Sequence, residues 1–137
     1  MGESLLDLRF PARAVELKPA RHAVEAALLA FGCADTFARD VVLALDEACQ
    51  NVIRYAYGPE REGDIALAIE RQGEDLVFTV TDWAPRIDSS KVRPRDLDDV
   101  RPGGLGTHLI QEVMDDTEFV DPPPGCGNVL RMVKRIR

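Results

Sequence analysis

No apolar run in these 137 residues approaches the length of a membrane span. The opening Met1-Gly2-Glu3-Ser4 lacks a basic region followed by an apolar stretch, so no secretory signal is expected. Basic residues are in deficit. Seventeen Lys and Arg against 24 Asp and Glu leave a net charge of −7. That balance argues against nucleic acid or an anionic membrane as the main partner. Cysteine is sparse: Cys33, Cys49 and Cys126 are odd in number and widely spaced. They form no metal pattern, and free thiols fit a reducing cytoplasm, the expected location.

What the chain does have is enough apolar content for a core. Hydrophobic residues make up 45% and charged residues 30%, the balance of a globular chain rather than a disordered one. The length fits one domain over 1–137. Leu8 and Phe10 alternate with Asp7 and Arg9, a weak strand ending at Pro11. Pro19 fits the first turn of a helix that runs to Phe31 and stops at Gly32. Asp35 can cap a longer helix reaching Tyr57, before Gly58-Pro59. Ile65, Leu67 and Ile69 alternate as one strand and Leu76, Phe78 and Val80 as another, with Gln72-Gly73-Glu74 as the turn. Trp83 to Pro102 shows no period and reads as a long loop, of the kind that is usually a lid, a binding loop or disordered; as a lid it covers about 83–102. Leu105 to Met114 reads as a short helix. Thr117–Val120 and Val129–Ile136 form a closing hairpin around Pro122-Pro123-Pro124-Gly125. No internal repeat or separate linker is visible.

Three features carry chemistry. On the long helix, at about 100° per residue, Asp46, Glu47, Gln50, Asn51 and Arg54 share an arc of about 140°. Glu47 and Asn51 are four apart, hence neighbours on that face. A solvated face is the plain alternative. The chemical one is that Asn51 offers Mg²⁺ a neutral oxygen and Glu47 orients or deprotonates an attacking group. Asp82 comes next. Leu76, Phe78, Val80 and Asp82 point to one strand face, and a core-facing carboxylate needs a hydrogen-bonding partner such as a purine amine. Alternatively the strand has ended and Asp82 caps the next turn. Lastly, Gly103, Gly104 and Gly106 precede a helix whose first N–H groups can face phosphate. Lys91, Arg93, Arg95 and Arg101 in the loop could meet γ-phosphate or simply be solvated.

Together these residues resemble a known family. Glu47-x-x-x-Asn51, Asp82, Gly103-Gly104-Leu105-Gly106 and Gly127-Asn-Val-Leu-Arg-Met-Val-Lys-Arg135 look like the boxes of the Bergerat-fold (GHKL-type) ATPases. The stretches Glu47-Ala-Cys-Gln-Asn-Val-Ile-Arg-Tyr-Ala-Tyr-Gly58, Gly-Gly-Leu-Gly-Thr-His-Leu-Ile110 and Met-Asp-Asp116 most resemble anti-sigma-factor serine/threonine kinases of the RsbW type. The resemblance runs from about Leu8 to Arg135. It implies an α/β (α+β) two-layer sandwich, with helices on one face of a mixed sheet and ATP held under the lid. It implies Glu47 as catalytic base and Asn51 as Mg²⁺ ligand. ATP would contact Asn51, Asp82, Gly103, Gly104, Leu105, Gly106, Thr107 and Asn128, with Arg54 and Arg101 as candidate phosphate contacts. Such proteins belong to partner-switching systems in transcription regulation. They phosphorylate an anti-anti-sigma (STAS) protein, sequester a sigma factor, and commonly form homodimers.

The chain departs from the pattern in places. Ala84 stands where the family usually has glycine, so a methyl group could crowd adenine or stiffen the lid hinge. Tyr55 stands where relatives often have histidine, and Asn128 where many have threonine. Two other functions stay open. One is the stand-alone catalytic domain of a histidine kinase, although His22 and His108 lie in no recognisable acceptor box. The other is a non-catalytic, nucleotide-gated binding module.

Overall fold

The structure is a computed structural model that describes residues 2–59, 61–85 and 104–136, of which 104–107 are described by backbone alone. Five strands, β1 (Glu3–Pro11), β2 (Asp64–Gln72), β3 (Asp75–Asp82), β4 (Asp116–Val120) and β5 (Asn128–Arg135), form one sheet in the order β1-β2-β3-β5-β4. Among the described residues, three α-helices accompany them: α1 (Leu17–Phe31), α2 (Asp35–Asn51) and α3 (Gly104–Val113).

The mixed sheet expected from the resemblance is antiparallel in each of its four pairings. The reason is where β5 lies. β3 and β4 run the same way, but β5 lies between them and pairs antiparallel with both. The return from β3 to β4 therefore creates no parallel neighbours. β2 and β3 join through Gly73-Glu74, and Gly73 takes φ +64, which the tight turn needs.

One face of the sheet builds the core. Phe10, Ile65, Leu67, Ile69, Leu76, Phe78, Val80 and Met132 pack in one cluster with Val24 and Leu28 of α1 and Val41, Ala44, Leu45 and Ala48 of α2. Burial of each large side chain contributes about 1.5–3 kcal/mol, which fixes the helix pair on the sheet. α1 ends as expected at Gly32, whose φ of +108 lets Cys33 N–H reach back to the Leu28 carbonyl at 3.0 Å.

The long second helix, expected to run unbroken to Tyr57, changes character at a point that no local residue marks. It is α-helical only to Asn51, then π-helical over Val52–Tyr57, closed by Gly58 N–H to the Ile53 carbonyl at 3.0 Å. Such wider turns occur mostly as short insertions, frequently at functional sites. β1 begins earlier than Leu8 because Glu3 and Ser4 pair with Arg71 and Glu70, despite weak alternation there. Of the loop expected over 83–102, Trp83–Pro85 are described and the rest lies outside the described residues.

α3 packs on α2 and is held at its C-terminal end by Lys134. That side chain is buried on β5, donates to the Val113 carbonyl at 2.7 Å, and stands 5.3 Å over the Phe37 ring. A cation at a helix C-terminus satisfies a carbonyl left without an intrahelical partner. Lys134→Met keeps the stem and removes the ammonium. It should lower the unfolding free energy in urea by about 1–3 kcal/mol. An unchanged midpoint would show that the Val113 carbonyl loses nothing.

Candidate functional site

Asp82 is the last residue of β3 and only 2% exposed. The alternative in which the strand has already ended there does not hold, because Asp82 still pairs with Ile65 and Asn128. It lies on the core face, and it also caps the turn that follows. Its Oδ1 accepts from Ala84 N–H at 3.0 Å and from Asn128 Nδ2 at 2.9 Å. The partner that burial demands thus comes from within the chain. Asn128 is 5% exposed and also donates to the Pro85 carbonyl at 3.3 Å. Its side-chain amide is therefore committed to orienting the Asp82 carboxyl. Burial raises the Asp82 pKa, while hydrogen bonds from Asn128 and Ala84 pull the other way.

The chain around Asp82 is packed backbone against backbone. Gly127 N–H donates to the Asp82 carbonyl at 2.8 Å, and any Cβ on Gly127 would overlap the Ala84 carbonyl oxygen. Ala84, expected to crowd a ligand or stiffen a hinge, is buried in a small cluster with Ala56 and Tyr57.

The second group of residues stands on α2 and its π-helical continuation. Glu47 and Asn51 are both half-buried, one helical turn apart. Burial raises the Glu47 pKa; Arg54 lowers it and Asp46 raises it further. The Asn51 side-chain oxygen is buried and accepts no hydrogen bond, the sole such atom found among the described residues. Leaving a buried acceptor unmatched costs about 1–3 kcal/mol. A hard cation is a fitting partner for that oxygen. Among the described residues, no group of three or more His, Cys, Asp or Glu could hold a metal.

The rest of the polar arc is tied together. Asp46 accepts from Arg21 of α1 at 3.0 Å and from Gln50 at 2.7 Å, and Arg54 donates to the Gln50 oxygen at 2.8 Å. Sequence periodicity put Asp46 and Gln50 on the right face but could not show this chain. α3 begins at Gly104 and ends at Val113, so Gly104 and Gly106 lie inside the helix rather than before it, and the helix stops one residue short of the expected Met114. Gly103 and Arg101 lie outside the described residues, and of Gly104, Leu105, Gly106 and Thr107 only the helical backbone is described. Cys49 is no nucleophile: burial, reinforced by Asp46, pushes its thiol up to about 12. No helix among the described residues is long and apolar enough to cross a membrane.

Sequence reasoning missed Tyr57, whose hydroxyl donates to the Asp64 carbonyl at 2.7 Å and accepts from Trp83 N–H at 2.9 Å. The one available signal was the isolated Gly63 before β2. Its missing Cβ leaves room for the Tyr57 ring.

Burying the Asp82 charge has a consequence for stability. A carboxyl whose pKa is raised on folding binds protons more readily when folded, so stability falls as pH rises from the unfolded value through the folded one. Above the folded pKa the charge is a net cost. Asp82→Asn keeps an acceptor for Asn128 and Ala84 but carries no charge. It should raise the melting temperature of the nucleotide-free protein at pH 7 by a few degrees, the shift that about 1 kcal/mol produces. The gain should vanish toward pH 4. A lower melting temperature at pH 7 would show that the charge is stabilising.

Comparison with known proteins places these residues in context. The family described as "Histidine kinase-like ATPase domain" matches residues 10–134. Serine-protein kinase RsbW of Bacillus cereus (strain Q1) is 28% identical over 123 residues, covering 84% of this chain and 76% of the relative. Serine-protein kinase RsbW of Staphylococcus aureus is 26% identical over 144 residues, covering 98% and 89%. The same-named protein of Halalkalibacterium halodurans is 30% identical over 103 residues, covering 69% and 60%. With a match that takes in both the Glu47–Asn51 helix and the Asp82 strand end, this chain belongs to the histidine kinase-like ATPase family.

Proposed function

We propose that the protein is an ATP-dependent serine/threonine kinase and anti-sigma factor of a partner-switching system, which phosphorylates a small anti-anti-sigma (STAS) protein and also sequesters a sigma factor. The observation that carries the proposal is the unmatched Asn51 oxygen one helical turn after a half-buried glutamate. The names of the RsbW relatives support the reaction class. A homodimer, the family's common state, is part of the proposal.

Each residue has a role. Asp82 accepts from the exocyclic amine of adenine. Its carboxylate is already oriented by Asn128 and Ala84, so little ordering remains to be done on binding. The N-terminal N–H groups of α3 face the phosphates. Asn51 would hold Mg²⁺, which when bound would offset the negative charge of the transferring phosphoryl group. Glu47 takes the proton of the attacking serine hydroxyl. The serine oxygen then bonds to the γ-phosphorus, the bond from that phosphorus to the bridging oxygen breaks, and ADP leaves with the bond's electron pair. Burial makes Glu47 a stronger base than an exposed glutamate.

Glu47→Gln should leave ATP affinity within about threefold and slow transfer to the partner serine at least about 100-fold, since a base acts in the transition state. In the wild type, the rate should fall as pH drops through a pKa above the ordinary glutamate value. Transfer from labelled ATP to a cognate anti-anti-sigma protein measures both. Equal turnover in variant and wild type would remove Glu47 from the mechanism, and no transfer by the wild type would leave a binding module.

A further inference from the structure

In register, β2 pairs Ile65 with Asp82, so the next pair outward is Asp64 with Trp83. At that rung the strands do not meet directly. The Tyr57 hydroxyl stands between them, donating to the Asp64 carbonyl at 2.7 Å and accepting from Trp83 N–H at 2.9 Å. One oxygen therefore opens the ladder immediately after Asp82 and keeps both backbone groups satisfied. The ring that carries it is locked. Tyr57 is 4% exposed and packs with Ala56 and Ala84, and a methyl group on Gly63 would overlap the ring. Tyr57 also ends the π-helical segment that begins directly after Asn51.

We infer that Tyr57 is a positioning residue of the nucleotide site: its hydroxyl, inserted between β2 and β3, sets where the Asp82 carboxylate stands relative to the helix that carries Glu47 and Asn51. The inference rests on the proposed function, in which Asp82 meets the base and Asn51 the metal. On the other side of β3, Gly127 and Asn128 hold Asp82 to β5. Tyr57 supplies the matching restraint from the helical layer. Without the hydroxyl, Trp83 N–H and the Asp64 carbonyl either close into a direct bond or stay unmatched. In both cases the end of β3 shifts relative to α2. Recognition of the base then suffers, while the phosphate end does not depend on this pin.

The test is calorimetry with three magnesium-loaded probes: ATP, purine riboside triphosphate (which lacks the 6-amino group) and tripolyphosphate. In the wild type, ATP should bind more tightly than purine riboside triphosphate. Tyr57→Phe should shrink that preference about tenfold, the loss of roughly one hydrogen bond's discrimination. Tripolyphosphate affinity should stay within about twofold. A merely structural role would weaken all three probes together. Gly63→Ala retains the tyrosine but displaces its ring, and the hydroxyl with it, and it should reproduce the loss of preference if Tyr57→Phe does not fold. A variant that keeps the wild-type preference overturns the inference. If the wild type itself binds none of the three probes, the nucleotide reading is what fails. The pin then stands or falls on hydrogen exchange at the Trp83 amide, which Tyr57→Phe should speed at least about tenfold. Unchanged exchange there overturns it.

Discussion

A carboxylate buried at the end of a strand has to be solvated by the protein itself, and the architecture around Asp82 follows from that need. Asn128 must stand opposite Asp82 on β5, with its amide aimed at Oδ1. Ala84 must turn back so that its N–H reaches the same oxygen. Gly127 must be a glycine, because the turned chain leaves no space for a side chain against the Ala84 carbonyl. Removing any one partner would leave a buried charge short of a hydrogen bond, a costly state in a low-dielectric interior. The carboxylate nonetheless sits in an otherwise apolar core layer, where a neutral residue would be cheaper. Retaining charge at such a place is what a recognition site requires and a scaffold does not.

The same tension appears on α2. Glu47 and Asn51 are half-buried, and the Asn51 oxygen has no protein partner. Asp46 and Gln50 on the same arc are matched, through Arg21 and Arg54. The buried side-chain oxygen that is left unmatched lies where a metal ligand is expected. The π-helical turn after Asn51 then carries Tyr57 to the end of β2 and β3, so the two halves of the site share one covalent path. Strained or under-satisfied groups that cluster in this way mark places where stability has been given up for function.

Much of this was legible in the sequence because it rests on periodicity. The alternation of Leu76, Phe78, Val80 and Asp82 gave β3 and its core face, and the spacing of Glu47 and Asn51 gave a shared helix face. Gly32 and Gly73 marked stops whose positive φ values are observed. What stayed hidden depends on contacts between residues far apart in the chain. Nothing local tells that Asn128 spends its amide on Asp82, 46 positions away, or that Lys134 caps α3. The π-helical turn is equally silent, because Val52-Ile53-Arg54-Tyr55-Ala56-Tyr57 continues an ordinary helical pattern. The antiparallel sheet is a matter of strand order, which follows from where β5 inserts rather than from any strand's own residues.

On the proposed function, the buried, unmatched Asn51 oxygen is a magnesium ligand at one end of a nucleotide site whose other end is Asp82. Calorimetric titration of the wild type and of Asn51→Leu with ATP, each with and without Mg²⁺, tests it most directly. Leucine is close to asparagine in size and offers no oxygen. Mg²⁺ should strengthen ATP binding to the wild type by at least about tenfold and do nothing for the variant, whose metal-free affinity should match the wild type's. An equal response to Mg²⁺ in both proteins, or no binding of ATP by the wild type at millimolar concentration, would contradict the claim.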